Sequence, residues 1–260
     1  MIAKDVLGSK MLLSENDPGI STKLKGFYVL EGMCPLALYK LLKLGDICID
    51  VGANIGYYAL LEALALRDSG YVYAIEPLPD NVHILEESIS ANGYKNIGVY
   101  PVALGNKNQP SSFNVDARLD CGTMAKRKVG KERANKVNTI TVEEITLDAF
   151  VELEEIKRID LLRIDAEKYE VEIIEGANKA LELMPTGSFI MLELHLTDVE
   201  LVEKFMKPLL TGLINKHFVP YQLIEEWQIT FHPELQLILA SMDREKKKKF
   251  EHPHLILERR

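Results

Sequence analysis

Four residues that can exchange a proton near neutral pH follow short apolar runs of the sequence. Asp165 and Glu167 come after the run IDLLRI, Glu193 lies near the end of the run SFIMLEL, and His195 follows that run directly. A hydroxyl that acts as a nucleophile must lose its proton, which requires a general base within hydrogen-bond distance. These four residues are therefore the candidate catalytic residues. His195 is the preferred base because the pKa of an unperturbed imidazole is about 6.5.

Each candidate also has a purely structural interpretation. Asp165 could cap the helix that follows it, and Glu167 could be an exposed first-turn residue favoured by the helix dipole. Glu193 could simply neutralise Arg163 on a neighbouring strand, and His195 could be a hydrogen-bonded structural residue. Asp165 and Glu193 could share a divalent cation, since oxygen ligands suit Mg²⁺. Two carboxylates do not make a metal site, however, and no metal is assigned.

A glycine-containing turn, DVGANIG, spans residues 50–56 at the end of another apolar run. Gly52 and Gly56 permit a tight turn into a helix and a close approach of a ligand to the backbone. The start of that helix offers unpaired N–H groups. Glu76 ends the next strand, 24 residues after Gly52, near the spacing at which an acidic residue accepts hydrogen bonds from ribose hydroxyls. This pattern predicts a cofactor that contains a nucleoside.

The residues of the turn favour one nucleoside cofactor over another. Dinucleotide-binding turns read G-x-G-x-x-G, but Asn54 stands at the second glycine position, and the turn has no Lys or Arg to offset a pyrophosphate. S-adenosylmethionine has a ribose but no phosphate, and Asp50 could accommodate its zwitterionic methionine tail. Tyr57 is expected to contact the cofactor. An ordinary glycine-rich turn without a ligand is the alternative.

These residues would be positioned by alternating strands and helices. Strands separated by helices indicate a parallel sheet covered by helices on both faces, which is an α/β fold. Two further strands near the end of the chain could close the sheet as a hairpin. The seven predicted strands are 46–52, 71–77, 97–104, 159–165, 188–194, 217–224 and 254–260.

The chain is predicted to consist of one main domain with additions. Residues 41–260 would form that domain, and residues 1–40 an N-terminal helical or extended segment packed on its core. The polar, locally basic stretch 106–147 interrupts the strand and helix alternation, so we interpret it as an insertion that forms a hairpin or a lid.

Composition narrows the function classes. The 260 residues carry a formal net charge of -8, which disfavours a protein that binds nucleic acid through its phosphates. No apolar run is long enough to span a membrane, and the N-terminus lacks the layout of a signal peptide. A soluble, cytoplasmic protein is expected. The three cysteines, without a CxxC motif, indicate neither a disulfide framework nor a zinc cluster.

An ordered set of motifs resembles the FkbM-type class I methyltransferases. The motifs run from the upstream DPGIS (17–21) through DVGANIGYYAL, AIEPLPDNVHILEESISAN, PVALGN, ITLDAF and IDLLRIDAEKYEVEIIEGA to the strand that ends MLELH. The resemblance covers about residues 15–200. It implies a Rossmann-like, doubly wound, mostly parallel seven-stranded sheet, S-adenosylmethionine as methyl donor, and methyl transfer to a hydroxyl of a small molecule such as a sugar, lipid or polyketide.

The same resemblance implies roles for individual residues. Residues of the glycine turn would hold the methionine moiety, Glu76 would bind the ribose, and Ala103 and Leu104 would line the adenine. The full set of candidate cofactor residues is Asp50, Gly52, Ala53, Asn54, Gly56, Tyr57, Glu76, Pro77, Ala103, Leu104 and Asp165.

The chain departs from the family pattern at Lys168, where the family has a glycine. Either this turn does not need a positive φ, or the pocket is reshaped or occupied by an ammonium group. A cofactor-binding domain without turnover is therefore one alternative function, and a nicotinamide-dependent oxidoreductase of the same fold class is another. A small-molecule acceptor is the expected partner, and a homodimer is compatible with the sequence.

Overall fold

The computed structural model describes residues 1–15, 19–116, 121–124, 137–195, 200, 202–242 and 252–260. Several sequence predictions lie partly or wholly outside these residues. They concern the start of the DPGIS segment, the basic stretch 126–136 of the insertion and the lysine-rich stretch 243–249.

The described residues form fourteen strands. In chain order they are β1 Ile2–Val6, β2 Ser9–Leu13, β3 Ile47–Val51, β4 Tyr71–Ile75, β5 Ile97–Tyr100, β6 Ala103–Gly105, β7 Gln109–Asp116, β8 Cys121–Thr123, β9 Val137–Thr146, β10 Leu161–Ile164, β11 Phe189–Glu193, β12 Phe218–Glu225, β13 Gln228–Phe231 and β14 His254–Arg259.

Nine α-helices accompany these strands in the described part of the chain. They are α1 Ile20–Gly26, α2 Cys34–Leu41, α3 Tyr57–Leu66, α4 Pro79–Asn92, α5 Leu147–Leu153, α6 Glu170–Glu175, α7 Asn178–Glu182, α8 Lys207–Asn215 and α9 Leu235–Ser241. A 3₁₀ turn, Arg67–Ser69, follows α3, and a π-helical turn, Val202–Met206, leads into α8. None of the described helices combines the length and the apolar character needed to cross a bilayer.

The central sheet confirms the predicted α/β fold. Its strand order is β13-β12-β14-β11-β10-β3-β4-β5, and the five strands from β11 to β5 are parallel to one another. All seven predicted strands are present, and the short edge strand β13 adds an eighth. Strands β12 and β14 pair antiparallel, but β13 and α9 lie between them in the chain, so they are not a simple hairpin.

Three local predictions need correction. The run 97–104 is two strands, because β5 ends at Tyr100 and Ala103 begins β6 in a separate sheet. The residue type of Asp80 predicts an N-cap, but α4 begins at Pro79, with Leu78 as its N-cap. The single helix expected after Asp165 is two short helices, α6 and α7, which are separated at Gly176.

Two hydrophobic clusters cover the two faces of the central sheet. Because successive strand residues point to opposite faces, Ile49 and Val51 of β3 join one cluster while Cys48 joins the other. The cluster that contains Cys48 also includes Val6 and Leu38, so the N-terminal segment packs against the same core as α3. The sheet is therefore doubly wound and buried on both faces.

The region of the predicted insertion builds a small sheet beside the main one. Its strand order is β6-β9-β7-β8, in which β7 and β9 pair antiparallel over Gln109–Asp116. Phe113 and Met124 are buried in a third cluster with Leu78 and Ala103. This part of the chain thus adds a hydrophobic wall next to the carboxyl ends of the central strands.

Candidate functional site

A cavity of about 810 Å³ opens at the carboxyl ends of β3, β4, β10 and β11. The chain runs outward from β3 through β4 to β5 on one side and places β10 and β11 on the other side, so the strand order reverses between β3 and β10. Ligands of doubly wound sheets bind at such a crevice. The position of the cavity agrees with this rule.

The glycine turn forms one wall of the cavity, and its backbone is held by neighbouring strands. Gly52 has φ +81°, and a Cβ atom added to it would lie 1.9 Å from the carbonyl oxygen of Asp165. The N–H groups of Gly52 and Ala53 donate to the Ile75 carbonyl oxygen at 2.9 and 3.0 Å. Glycine is therefore required at position 52 by both conformation and space.

Glu76 lines the cavity next to this turn. Its Oε2 accepts the Asn54 N–H at 2.9 Å, and its Oε1 accepts the Leu78 N–H at 2.9 Å. Asn81 Nδ2 also donates to Oε1, at 3.4 Å, and an ionised carboxylate has about four lone-pair sites, so Oε2 can still accept a hydroxyl donor. Burial raises the pKa of Glu76 to about 7, although these hydrogen bonds oppose the shift. Gly52–Asn54 and Glu76 form the glycine-turn end of the cavity.

All the predicted cofactor residues except Asp50 and Gly56 line the cavity. Asp50 is fully buried, and its Oδ1 accepts a 2.8 Å hydrogen bond from Arg163 Nη1. Asp50 therefore does not line the cavity as the predicted cofactor contact requires, whereas its partner Arg163 does. Gly56 is the N-cap of α3 with φ +95°, and it faces Leu85 rather than the cavity.

Arg163 links the base of the glycine turn to the acidic residues beyond β10. It pairs in register with Asp50 on β3, and its Nη2 donates to Asp165 Oδ2 at 2.8 Å. Its guanidinium also lies 3.9 Å from the Tyr58 ring centroid, a cation–π contact. Asp50 and Asp165 thus neutralise Arg163, in place of the interpretation that Glu193 does so.

The four predicted catalytic residues meet around one imidazole. His195 Nε2 lies 3.3 Å from Glu193 Oε1 and 3.7 Å from both Asp165 Oδ1 and Glu167 Oε2. Its Nδ1 is 2.7 Å from Glu170 Oε1. A carboxylate on the second ring nitrogen fixes the orientation of an imidazole. These five residues form the acid–base end of the cavity.

Burial and neighbouring charges shift the pKa values of the residues at the acid–base end. Burial lowers the pKa of His195, but Glu193 and Glu170 outweigh it and hold that pKa well above its usual value. Burial, together with Asp165, raises the pKa of Glu193 to about 7. Arg163 overcomes the effect of burial on Asp165 and lowers its pKa. At neutral pH His195 therefore carries its proton, and Glu193 titrates near that pH.

The sequence did not single out four polar residues that the structure brings to this site: Glu31, Arg163, Glu170 and His254. In the sequence His254 has no carboxylate or cysteine at ligand spacing, which predicts an ordinary surface or core histidine. It is buried on β14 and pairs in register with Glu193 of β11. Arg163 could have been identified from the sequence, because it is a charged residue inside the apolar run LLRI. No sequence pattern indicates that Glu31 and His254 lie close together.

The turn that carries Glu31 is bound to the site by two tyrosines. The Tyr58 hydroxyl donates to Glu31 Oε2 at 2.6 Å. The Tyr57 hydroxyl donates to the Leu30 carbonyl oxygen at 3.1 Å and accepts the Leu30 N–H at 2.8 Å. The helix after the glycine turn therefore also positions the N-terminal segment.

Lys168 resolves one of the two alternatives that the sequence left open. Its φ is +84°, and Glu167 before it has φ +47°. The turn does need a positive φ at the family's glycine position, and a lysine adopts it here. Lys168 lines the cavity, and non-glycine residues in this conformation carry strain of a kind that concentrates at functional sites.

Comparisons with known proteins agree with this geometry. The sequence profile of the methyltransferase FkbM domain matches residues 50–217. A hexuronic acid methyltransferase of Haloferax volcanii, AglP, is 28% identical over 151 residues, which are 58% of this chain and 56% of that protein. A protein-L-isoaspartate O-methyltransferase of Ignicoccus hospitalis is 35% identical over 75 residues, 29% of this chain and 35% of that protein. The chain thus spans about half or less of the length of these two relatives.

Solved structures share the fold at low sequence identity. A protein assigned as an rRNA methylase from Clostridium thermocellum superposes with a TM-score of 0.51 at 10% identity, covering 88% of this chain and 97% of that one. A protein assigned as a methyltransferase from Streptococcus mutans, crystallised with SAH, superposes with a TM-score of 0.50 at 10% identity, covering 88% and 99%. Because the family profile covers more than half of its residues, the chain belongs to the FkbM methyltransferase domain family.

Proposed function

We propose that this protein transfers the methyl group of S-adenosylmethionine to a hydroxyl oxygen of a small molecule. The observation that carries this proposal is that a nucleoside-type glycine turn with its acidic partner Glu76 shares a single cavity with the acid–base end around His195. Family membership and the SAH complex of the Streptococcus mutans structure support the choice of donor.

The residues of the glycine-turn end fit this donor. Glu76 retains acceptor capacity on Oε2 for the ribose hydroxyls, and Asn54 fills the position that a pyrophosphate would need. The backbone of the glycine turn would hold the methionine moiety, and the buried pair Asp50 and Arg163 lies at the base of that turn. Ala103 and Leu104 would line the adenine. When bound, S-adenosylmethionine supplies an electrophilic methyl carbon on a sulfonium.

The acid–base end prepares the acceptor for attack. The acceptor oxygen forms a bond to the methyl carbon as the carbon–sulfur bond breaks, and the hydroxyl proton passes to the His195 and Glu193 pair. Glu170 keeps the imidazole aligned through Nδ1. Most of the rate enhancement would come from holding the two reactants close and aligned in a cavity screened from water.

A small acceptor is favoured by size and by charge. The cavity volume lies within the range of about 300 to 1,000 Å³ that is typical of small-molecule sites, and the net charge of -8 opposes a polyanionic nucleic acid. The Haloferax relative is named for hexuronic acid. We therefore place sugar and uronic acid hydroxyls first among the acceptors.

The test combines donor binding with turnover. The purified chain is titrated calorimetrically with S-adenosylmethionine and, in parallel, with NAD, and it is then incubated with methyl-labelled donor and a library of hydroxylated sugars, uronic acids, lipids and polyketides. We expect binding of the methyl donor, no binding of NAD and label in an ether product. Binding of NAD alone would overturn the donor assignment. Donor binding without transfer to any library member would indicate the domain without turnover.

A further inference from the structure

Glu31, Glu193 and His254 place three potential metal ligands together beside the acid–base end. His254 Nε2 is 3.3 Å from Glu31 Oε2 and 3.6 Å from Glu193 Oε2. One ligand atom from each residue lies within 4.8 Å of the other two. We call these three residues the Glu31 cluster. They come from the turn before α2, the end of β11 and the start of β14.

The Nε2 atom of His254 has no hydrogen-bond partner among the described residues, although the side chain is only 3% exposed and faces the cavity. The two carboxylates lie within ion-pair distance of this nitrogen. A buried polar atom without a partner is costly and requires an explanation. A bound cation would satisfy Nε2 and both carboxylates together.

The spacing of the ligand atoms matches a coordination shell. Metal–ligand bonds of about 2.0 to 2.2 Å place neighbouring ligands roughly 3.0 to 3.5 Å apart in octahedral or tetrahedral geometry. The two distances from His254 Nε2, 3.3 and 3.6 Å, are close to this range. A small movement of the Glu193 side chain would complete the fit.

Two further features prepare the Glu31 cluster. Glu31 has φ +58°, a strained conformation that directs its carboxylate into the cavity, and its Oε2 is held by the Tyr58 hydroxyl. Groups that orient metal ligands in this way are typical of metal sites. The permanent cation nearby, Arg163, is already bonded to Asp50 and Asp165, so carboxylate charge exceeds permanent positive charge here.

We propose that the Glu31 cluster binds one divalent metal ion through Glu31, Glu193 and His254, leaving the remaining coordination positions open to water or to an acceptor oxygen. Two carboxylates and one imidazole suit an ion such as Mn²⁺, which accepts both oxygen and nitrogen ligands. Its role in methyl transfer, which rests on the proposed function, is to bind the acceptor hydroxyl and promote its deprotonation. An acceptor with two neighbouring oxygens would then be preferred, because it could chelate the ion.

Metal binding can be measured without donor or acceptor. The full chain is stripped with EDTA, desalted and titrated with Mn²⁺ while the signal of free Mn²⁺ is followed by electron paramagnetic resonance. We expect one Mn²⁺ per chain, and at least tenfold weaker binding in both Glu31→Gln and His254→Gln. His83→Gln and Glu86→Gln change the same residue types on the exposed face of α4 and are expected to bind like the wild type. Thermal melting identifies any variant that fails to fold.

Several outcomes would overturn the metal site. They are an absence of Mn²⁺ binding by the wild type, undiminished binding in folded Glu31→Gln and His254→Gln, and loss of binding in His195→Gln but not in His254→Gln. The last result would move the ion to the alternative group Asp165, Glu193 and His195. A chain that binds Mn²⁺ as expected but transfers no methyl group would retain the metal site and overturn the proposed function instead.

Discussion

At the glycine-turn end of the cavity, side chains are tied to the backbone of a short stretch of chain. Glu76 accepts N–H groups from Asn54 and Leu78, and Gly52 is fixed between β3 and β10. At the acid–base end, side chains contact one another, and they come from two separate parts of the chain, after β10 and at the end of β11. The first end is preorganised by local backbone geometry, whereas the second depends on the assembled sheet. Substitutions should therefore act differently at the two ends.

The largest effect is expected at the acid–base end. His195→Gln retains a hydrogen-bonding side chain beside Glu170 but removes the imidazole that pairs with Glu193, so turnover should fall by roughly 10²- to 10⁴-fold. Donor affinity should stay near the wild-type value because His195 lies at the other end of the cavity. Formation of SAH with the best acceptor measures the rate, and His83→Gln is the control. An unaltered rate would remove His195 from the proton transfer.

At the glycine-turn end, Gly52→Ala should destabilise the fold itself. The positive φ and the contact with the Asp165 carbonyl oxygen together should reduce the free energy of unfolding by about 3 kcal/mol. Gly187→Ala separates the two causes, because Gly187 has φ +83° but open space around the added Cβ. Urea denaturation of both variants measures the difference. Equal losses in the free energy of unfolding of the two variants would mean that the contact with the Asp165 carbonyl oxygen contributes nothing.

Glu76→Gln should affect donor binding more than stability. Loss of a charged acceptor for the ribose hydroxyls should weaken binding roughly ten- to a hundredfold. The pKa of Glu76 is about 7, so the ionised form becomes populated as pH rises through that value. Donor affinity of the wild type should rise accordingly, while that of Glu76→Gln should stay flat. Calorimetry across this pH interval tests both statements, and parallel pH profiles would contradict the placement of the ribose.

The smallest effect is expected where the two ends adjoin. Lys168→Gly restores the residue type that tolerates φ +84° and should raise the free energy of unfolding by about 1 kcal/mol. Lys157→Gly is the matched control: this exposed lysine does not have a positive φ, so its replacement should not stabilise the protein. A destabilised Lys168→Gly would show that contacts of the lysine outweigh its backbone strain.

The glycine-turn end and the sheet could be predicted because their signals are local. Alternating apolar strands, the turn 50–56 and the acidic residue that ends the next strand all lie within a short length of sequence, and the seven expected strands are present. The edge strand β13 was missed because it is short and half exposed. Its first and last residues are exposed and the two between them are half-buried. The division of residues 97–104 into two strands depends on pairing with β9, in which Ala103 pairs with Glu144, 41 residues further along the chain.

The acid–base end was only half predictable. His195 and its three acidic neighbours follow strand ends, and parallel strands bring such residues to one edge of a sheet. Glu31 and His254 come together because the N-terminal turn packs on β14. No periodic pattern in the sequence predicts this contact. Asp50 shows the opposite limit: its position at a strand end is correct, but only the register with Arg163 shows that it faces away from the cavity.

The position of β14 has a consequence for biosynthesis. This strand lies between β11 and β12, although β12 and β13 precede it in the chain, so they join the sheet only through β14. During translation, the five parallel strands can form before β14 is made, but β12 and β13 have no strand of the central sheet to pair with until His254–Arg259 emerge from the ribosome. Such long-range pairing is slow to form. A nascent chain should therefore form the glycine-turn end of the cavity before β14 brings His254 into place.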